Sequence, residues 1–360
     1  MVLGVLGLVI VVAGAGIVVI LSDGNPVRFV QTELIRLSLA GRQDELNRPV
    51  GADATPRRFT IESGDSPTMI GQRLFAQSLI SDPQLFVDYV RVEGLDTQLE
   101  AGTYFLNQTQ TISQIARLLI DSRSSSITFR IPEGSRLEEI AALIDSNPLF
   151  GFSGADFLQA TADANQNAPA FATQMGIPPG RTLEGYMLPD TYVLPPDITA
   201  TDLRNLLLNT FTEAVNGTLM TDAAAQGWTM HEVVTLASII EREAVWADEN
   251  PAIAGVYRNR LDISMRLEAD PTVQYGLQGS RGSWWPQITQ ADYRAVQSEY
   301  NTYLVFGLPP GPIANPALSA VRAAIYPAES DYLYFRARCD GSHYHNFATT
   351  YEQHLANGCS

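Results

Sequence analysis

A carboxylic acid set into an apolar helical stripe is the residue of this chain best placed to move a proton. Thr229 to Ala244 opens with a capping pattern: Thr229 can accept from the backbone N–H three residues on, and Glu232 can reach back to the N–H of Thr229. At about 100° per residue, Met230, Val233, Val234, Ala237, Ile240 and Ala244 fall on one apolar stripe. Glu241 falls inside it, one turn after Ala237. His231, Thr235, Ser238 and Arg242 fall opposite, where a helix usually meets solvent or a polar neighbour. Desolvation favours the neutral form of a carboxyl and raises its pKa, as a general acid near neutral pH requires. From this helix alone a second reading stands equally: a structural acid paired with a buried arginine.

Further motifs surround this helix. Downstream lie Val256-Tyr-Arg-Asn-Arg-Leu261, Met265-Arg-Leu-Glu-Ala-Asp-Pro-Thr-Val-Gln-Tyr-Gly276, Tyr300-Asn-Thr-Tyr303 and Gly307-Leu-Pro-Pro-Gly-Pro-Ile313. Upstream lies Leu183-Glu-Gly-Tyr-Met-Leu-Pro-Asp-Thr-Tyr192. Together with Leu236-Ala-Ser-Ile-Ile-Glu-Arg-Glu243, in this order and spacing, they resemble the MltG (YceG-like) family of membrane-anchored endolytic murein transglycosylases. Gly341-Ser-His-Tyr-His345-Asn-Phe347, followed by His354, resembles that family's C-terminal signature. The resemblance runs from about residue 57 to the C-terminus. It implies cleavage of the β-1,4 bond from N-acetylmuramic acid to N-acetylglucosamine within peptidoglycan strands, with 1,6-anhydromuramic ends as product and no cofactor. It assigns the catalytic acid to the glutamate matching Glu241. Asp270, Asn259, Asn301, Tyr303, Glu184, Asp190 and Tyr192 lie in matching motifs and are expected to line the substrate cleft, with Glu243 in support. Asp270-Pro271 also reads as a turn or helix start, and Asn301 as a cap.

A hydrolase needs two carboxylates about the glycosidic bond; a lytic transglycosylase needs one, because the muramic C6 hydroxyl attacks. A hydrolytic muramidase is therefore the first rival, with Glu243, Glu268 and Asp270 as candidate partners. A non-catalytic, membrane-tethered glycan-binding scaffold is the second. Other chemistries drop out. All 23 Lys+Arg residues are arginine, so Schiff-base and Walker lysines are absent. There is no G-x-S-x-G elbow, and Thr235 stands where His231-Glu232 would need a second zinc-binding histidine. Net charge is −16, which argues against a nucleic-acid partner.

The elements that must position the acid follow from pattern. Val2 to Leu21 is an uncharged apolar run long enough to cross a bilayer, longer than a signal peptide's core and without its basic leader. Arg28, Arg36 and Arg42 follow the run, which by the positive-inside rule alone would place the body in the cytoplasm. The family resemblance implies the opposite: a single-pass anchor in the bacterial plasma membrane, the body outside, and cell-wall synthesis proteins as partners. Asn25 and Pro26 can start a helix that Gly41 ends, and Arg48 to Arg57 reads as a linker.

Phe59-x-Ile61-x-x-Gly64, then Ile70 and Leu74, recurs as Phe129-x-Ile131-x-x-Gly134, then Ile140 and Ile144. Thr103-Tyr-Phe-Leu106, then Ile115, Leu118 and Leu119, recurs as Thr191-Tyr-Val-Leu194, then Leu203, Leu206 and Leu207. The second recurrence is displaced further, which places an insertion within Asn147 to Gly180. Each copy reads as strand, glycine turn and amphipathic helix. The unit resembles LysM, a small glycan-binding fold, and either binds glycan or serves as a spacer.

The expected fold is α+β: a transmembrane anchor (1–22), a juxtamembrane helix and linker (23–56), a LysM-like module (57–125), a second LysM-like βα repeat (126–210) and a mixed α+β catalytic domain (211–360). The catalytic core should contain the Thr229 helix, a helix over Ala252–Leu261 and a strand at Tyr332–Phe335. Pro309, Pro310, Pro312 and Pro316 stiffen the loop from Gly307. Trp284 and Trp285 are candidates for stacking on sugar rings or for ordinary packing. No metal site is expected, since the spacing of Cys339, Asp340, His343, His345, His354 and Cys359 matches no zinc pattern. Cys339 and Cys359 can close a disulfide or remain free thiols.

Overall fold

The computed structural model describes residues 26–359, which divide into two compact units. One comprises the described residues through Ile127 with Leu194–Asp197; the other comprises Thr128–Val193 and Ile198 onward. Helices and three two-stranded sheets make a mixed α+β fold. The second βα repeat therefore belongs to the same compact unit as the segment after Phe211. Helices of more than one turn are numbered below in chain order.

The first unit begins with α1 (Pro26–Gly41), which starts at a proline. Strand β1 (Arg57–Ile61) pairs antiparallel with β2 (Gly102–Leu106), Phe59 opposite Tyr104. Between them lie α2 (Pro67–Ala76) and α3 (Pro83–Val92), capped by Ser66 and Asp82, each with proline at the first helical position. Gly71 allows their close approach: a Cβ there would stand 2.9 Å from the Pro83 carbonyl oxygen. Helix α4 (Ile112–Leu118) carries a Thr111–Gln114 capping box. The alternating strand residues and the helix stripes, Phe59, Ile61, Ile70, Leu74, Tyr104, Leu106 and Ile115 among them, close one apolar core.

In the second unit β3 (Ile127–Arg130) pairs with β4 (Thr191–Leu194). Gly134 repeats the left-handed turn of Gly64, at φ 69° against 91°. Helices α5 (Leu137–Ser146) and α6 (Gly154–Thr161) follow, then a single turn at Ala164–Asn167 and α7 (Pro169–Met175). Helix α6, the single turn and α7 all lie in the segment where the repeat offset placed an insertion. Next come α8 (Ala200–Val215), α9 (Thr218–Ala225), α10 (Met230–Glu243), α11 (Asn250–Asp262), α12 (Asp270–Gly276) and α13 (Leu318–Ile325). The hairpin β5 (Tyr334–Ala337) and β6 (His345–Ala348) precedes α14 (Tyr351–Ala356).

Helix α10 is central, packed by α11 and α13. Its expected polar face does not reach solvent: His231, Thr235 and Ser238 are buried with the apolar stripe. The proline-stiffened loop covers that face, and its polar groups are paired. Ser238 Oγ accepts from Ile313 N at 3.0 Å, and Thr235 Oγ1 donates to His231 O at 2.7 Å. His231 Nε2 lies 3.0 Å from the Pro310 carbonyl and Nδ1 lies 3.0 Å from the Tyr186 hydroxyl. A carbonyl can only accept, so Nε2 carries the proton and Nδ1 accepts from the tyrosine. The C-terminal strand also starts two residues later than the apolar pattern suggested, because Phe335 pairs with Phe347 in the hairpin.

Among the described residues no helix is long and apolar enough to cross a membrane. The apolar run from Val2 to Leu21 and the expected cap Asn25 lie outside them.

Candidate active site

Glu241 stands in the last turn of α10, half-buried. The capping box at the other end is formed: Thr229 N donates to Glu232 Oε2 at 2.8 Å and Glu232 N to Thr229 Oγ1 at 3.2 Å. Oε2 of Glu241 accepts from the backbone N–H of Ala317 at 3.1 Å. Burial pushes the carboxyl up to about 7; the Ala317 amide pulls the other way, the charge of Glu133 raises it and Arg242 lowers it. The C-terminal end of the α10 dipole also disfavours the carboxylate. This is the physical state of a proton donor near neutral pH.

Gly134 forms the wall beside the acid. A Cβ built there would stand 3.5 Å from Glu241 Cγ and 3.1 Å from Arg242 Nη1. The turn is held by Asn315, which reads the backbone on both sides of it. Gly134 N donates to Asn315 O at 2.9 Å and Asn315 N to Ser135 O at 2.8 Å. The Asn315 side chain donates to Ser135 O and to Glu184 Oε1, and accepts from Gly185 N and Met187 N. Glu184 completes the tie by accepting from Leu137 N at 3.2 Å. Burial pushes Glu184 up to about 8, with Glu138 adding to the rise. Through this buried network Asn315 and Glu184 position both Gly134 and the Ala317 amide against Glu241.

A cleft of about 420 Å³ opens beside this wall, lined by Pro132, Glu133, Glu139, Arg242 and Trp284 among others. The aromatic pair is packed by arginine. The Arg242 guanidinium lies 3.9 Å from the Trp285 ring centre, and Arg136 lies 4.1 Å from Tyr275 and 4.7 Å from Trp284. Trp285 Nε1 donates to Glu139 Oε2 at 3.1 Å.

The expected cleft residues fall into separate places. Glu184 is buried in the loop-tying network rather than exposed to a ligand. Tyr192 is buried and its hydroxyl donates to Leu188 O at 2.6 Å. Asp190 is exposed, accepting from Thr191 N. Asn259 donates to the carbonyls of Ser330 and Tyr332, and Asn301 to those of Tyr293 and Val296, so both pin loops. Glu243, Asp270 and Tyr303 do come together, in a second cavity of about 440 Å³ that also includes Tyr257 and Arg260. Tyr257 donates to Glu243 at 2.9 Å and Tyr303 to Asp270 at 2.7 Å. Burial and the charge of Asp270 raise Glu243 to about 7, against the Tyr257 hydrogen bond. Glu243 lies about 200° round the helix from Glu241. Asp270 is the first residue of α12.

Sequence reasoning missed Glu133, Gly134, Arg136, Glu139, Asn315 and the cleft face of Arg242 as site residues. Gly134 had a signal, since it ends the repeated strand pattern, but that pattern showed only a turn.

The C-terminal hairpin is tied separately. Cys339 and Cys359 are joined in a disulfide. His345 takes both carboxylate oxygens of Glu249, through its N–H and Nδ1, at 2.9 Å each.

A model of the YceG-like family matches residues 59–358. The chain belongs to the YceG-like family. In this YceG-like chain the match takes in both βα repeats and the whole of the Glu241 site. It is 30% identical to the endolytic murein transglycosylase of Bacillus subtilis, over 82% of this chain and 83% of that protein. It is 28% identical to the endolytic murein transglycosylase of Streptococcus pneumoniae strain D39, over 88% of this chain but only 61% of that longer protein. The crystal structure of a YceG-like protein from Listeria monocytogenes superposes with a TM-score of 0.55, at 31% identity, covering 84% of this chain and 99% of that one.

Proposed function

We propose that this chain is an endolytic murein transglycosylase, cutting muramic acid–glucosamine bonds within peptidoglycan strands. The observation that carries the reading is Glu241: a half-buried acid raised to about 7 by burial and packed against Gly134 in the wall of a cleft, in a chain related to proteins of that name. With Oε2 engaged by Ala317 N, the remaining oxygen is available to give its proton to the leaving glycosidic oxygen. The carboxylate then takes the proton of the muramic C6 hydroxyl as that oxygen attacks the anomeric carbon. The bond to glucosamine breaks, a 1,6-anhydro ring closes, and Glu241 returns to its protonated form. One residue serves both steps, and no metal or cofactor enters the scheme.

Mass spectrometry of fragments from purified murein tests this directly. Internal cuts bearing 1,6-anhydromuramic ends are expected. Reducing muramic ends would make the protein a hydrolase and turn attention to Glu133, the acid whose charge acts on Glu241. Fragments absent altogether would favour a glycan-binding scaffold.

The proposed organisation extends this reading. Residues 1–22 anchor the chain once in the bacterial plasma membrane with the body outside, followed by a juxtamembrane helix and linker (23–56). Residues 57–125 and 126–210 are LysM-like βα modules, and 211–360 are the catalytic region. Cell-wall synthesis proteins are the expected partners. The length of the apolar run supports the anchor, and the resemblance to membrane-anchored transglycosylases supports its orientation. Protease added to intact spheroplasts should degrade the body; a protected body would reverse the topology.

A further inference from the structure

Arg242 follows the proposed acid directly, yet it forms no ion pair or hydrogen bond with any described residue. Its guanidinium lies over Trp285, 3.9 Å from the ring centre, its Nε is buried without a partner, and its side chain lines the cleft beside Gly134. Arg136 contrasts with it: that guanidinium is paired with Glu138 at 3.2 Å, although its Nη1 is also buried and unpartnered. Buried N–H groups in folded proteins are almost always satisfied, and an exception calls for an explanation. Here the unsatisfied donor, Nε, belongs to a charged, planar group, already held against a tryptophan ring, at the rim of a cavity. Such a group is pre-organised to take a carboxylate in a paired, forked geometry.

We infer that Arg242 is a substrate-binding residue that grips a carboxylate on the muramic side of the scissile bond. The inference rests on the transglycosylase reading and deepens it. Muramic acid is the sugar whose anomeric carbon reacts, and it alone carries a lactyl ether. That group sits at C3 of the same ring whose C1 carries the glycosidic oxygen that Glu241 protonates. Its carboxyl is free on stripped glycan and is amide-linked to a peptide stem on intact murein, where the stem supplies carboxylates of its own. Either source presents the same chemistry to Arg242. Holding it would seat the muramic residue in the cleft beside Glu241, a contact made equally before and during the reaction. Glucosamine has no such group, so the contact also sets which sugar lies on which side of the acid.

The test uses the full-length protein with Arg242→Gln and Arg242→Lys. Three glycan substrates are compared: strands with peptide stems, strands stripped of stems by an amidase, and stripped strands whose lactyl carboxyl is converted to a neutral methylamide. KM and kcat are measured, and affinity is measured by calorimetry in a Glu241→Gln background. Arg242→Gln should raise KM and weaken binding roughly 10- to 100-fold on a charged substrate, with kcat little changed. Arg242→Lys, which keeps the charge but not the fork, should recover part of the loss. The neutral strands should bind wild type and Arg242→Gln alike. A loss confined to stem-bearing strands identifies a stem carboxylate; a loss confined to stripped strands identifies the lactyl group. Unchanged KM and affinity on both charged substrates, or an equal loss on the neutral one, would overturn the inference. A change in kcat alone would do so as well, since it would make Arg242 only a tuner of Glu241. Because affinity is read without turnover, this result stands apart from whether Glu241 is the acid.

Discussion

Ala317 N and Glu241 Oε2 are 3.1 Å apart, and this one amide ties the last turn of α10 to the proline-rich loop. The same carboxyl side chain packs against Gly134, with Cγ 3.5 Å from the position of a Cβ there, and Gly134 lines the cleft.

Glu241→Gln is expected to abolish cleavage while preserving the fold. General acid–base groups contribute about 10²–10⁴-fold, and here one group acts twice. Wild-type activity should decline as pH rises through about 7, where the acid loses its proton before substrate binds. Stability follows the same group. Its folded pKa of about 7 exceeds the ordinary 4.5, so its favourable contribution is complete below 4.5 and is lost as pH rises through 7. The Gln variant should lack that slope, as read by urea titrations across pH. Retained cleavage would dismiss Glu241.

Glu184 is a support whose two oxygens both accept. Raised to about 8, it is mostly protonated at pH 7. Both of its oxygens accept from buried donors, and the amide nitrogen of Gln can only donate, so Glu184→Gln should leave one donor unpaired at a cost of about 1–3 kcal/mol. Asn315→Ala removes a buried hub of two donations and two acceptances. It should cost about 2–4 kcal/mol, since it leaves buried backbone groups unpaired, and activity should fall with it. Chemical denaturation at pH 7 checks both; a Gln variant as stable as wild type would refute the accepting role of both Glu184 oxygens.

Gly134→Ala should be both unstable and slow. Its φ of 69° disfavours a side chain, at about 1–2 kcal/mol. The new methyl would also press on Arg242 Nη1 at 3.1 Å. The equivalent turn glycine of the first repeat, Gly64, has nothing within 4 Å of its Cβ position. Gly64→Ala should thus show the backbone cost without the catalytic loss. Equal activity losses in the two variants would refute a site role for Gly134.

The Cys339–Cys359 disulfide closes a loop of 20 residues. Reducing it should cost about 3 kcal/mol through the freed chain entropy of the unfolded state. Thiol labelling of the unreduced, denatured protein should find no free cysteine, and two labelled thiols would exclude the bond.

Local interactions were legible in the sequence because they repeat at short range. The Thr229–Glu232 capping box, the α10 stripe containing Glu241, and the strand–glycine–helix pattern at Phe59 and Phe129 all follow from periods of 2 and 3.6 residues. Lysine-free composition and motif spacing likewise limited the chemistry before any contact was known. What α10 meets on its other face was not legible. Ser238 and Thr235 look like solvent residues until the loop around Ile313 covers them. Glu184 and Tyr192 share a motif with surface positions yet are buried, and Asn301 spends its amide on backbone carbonyls. Gly134 and Asn315 are 181 residues apart in numbering but adjacent in space. Helical periodicity tells which residues share a face; it does not tell which distant loop will lie against that face. The desolvation that holds the proton on Glu241, and the unpaired guanidinium beside it, arise only where Gly134, Ala317 and Trp285 converge.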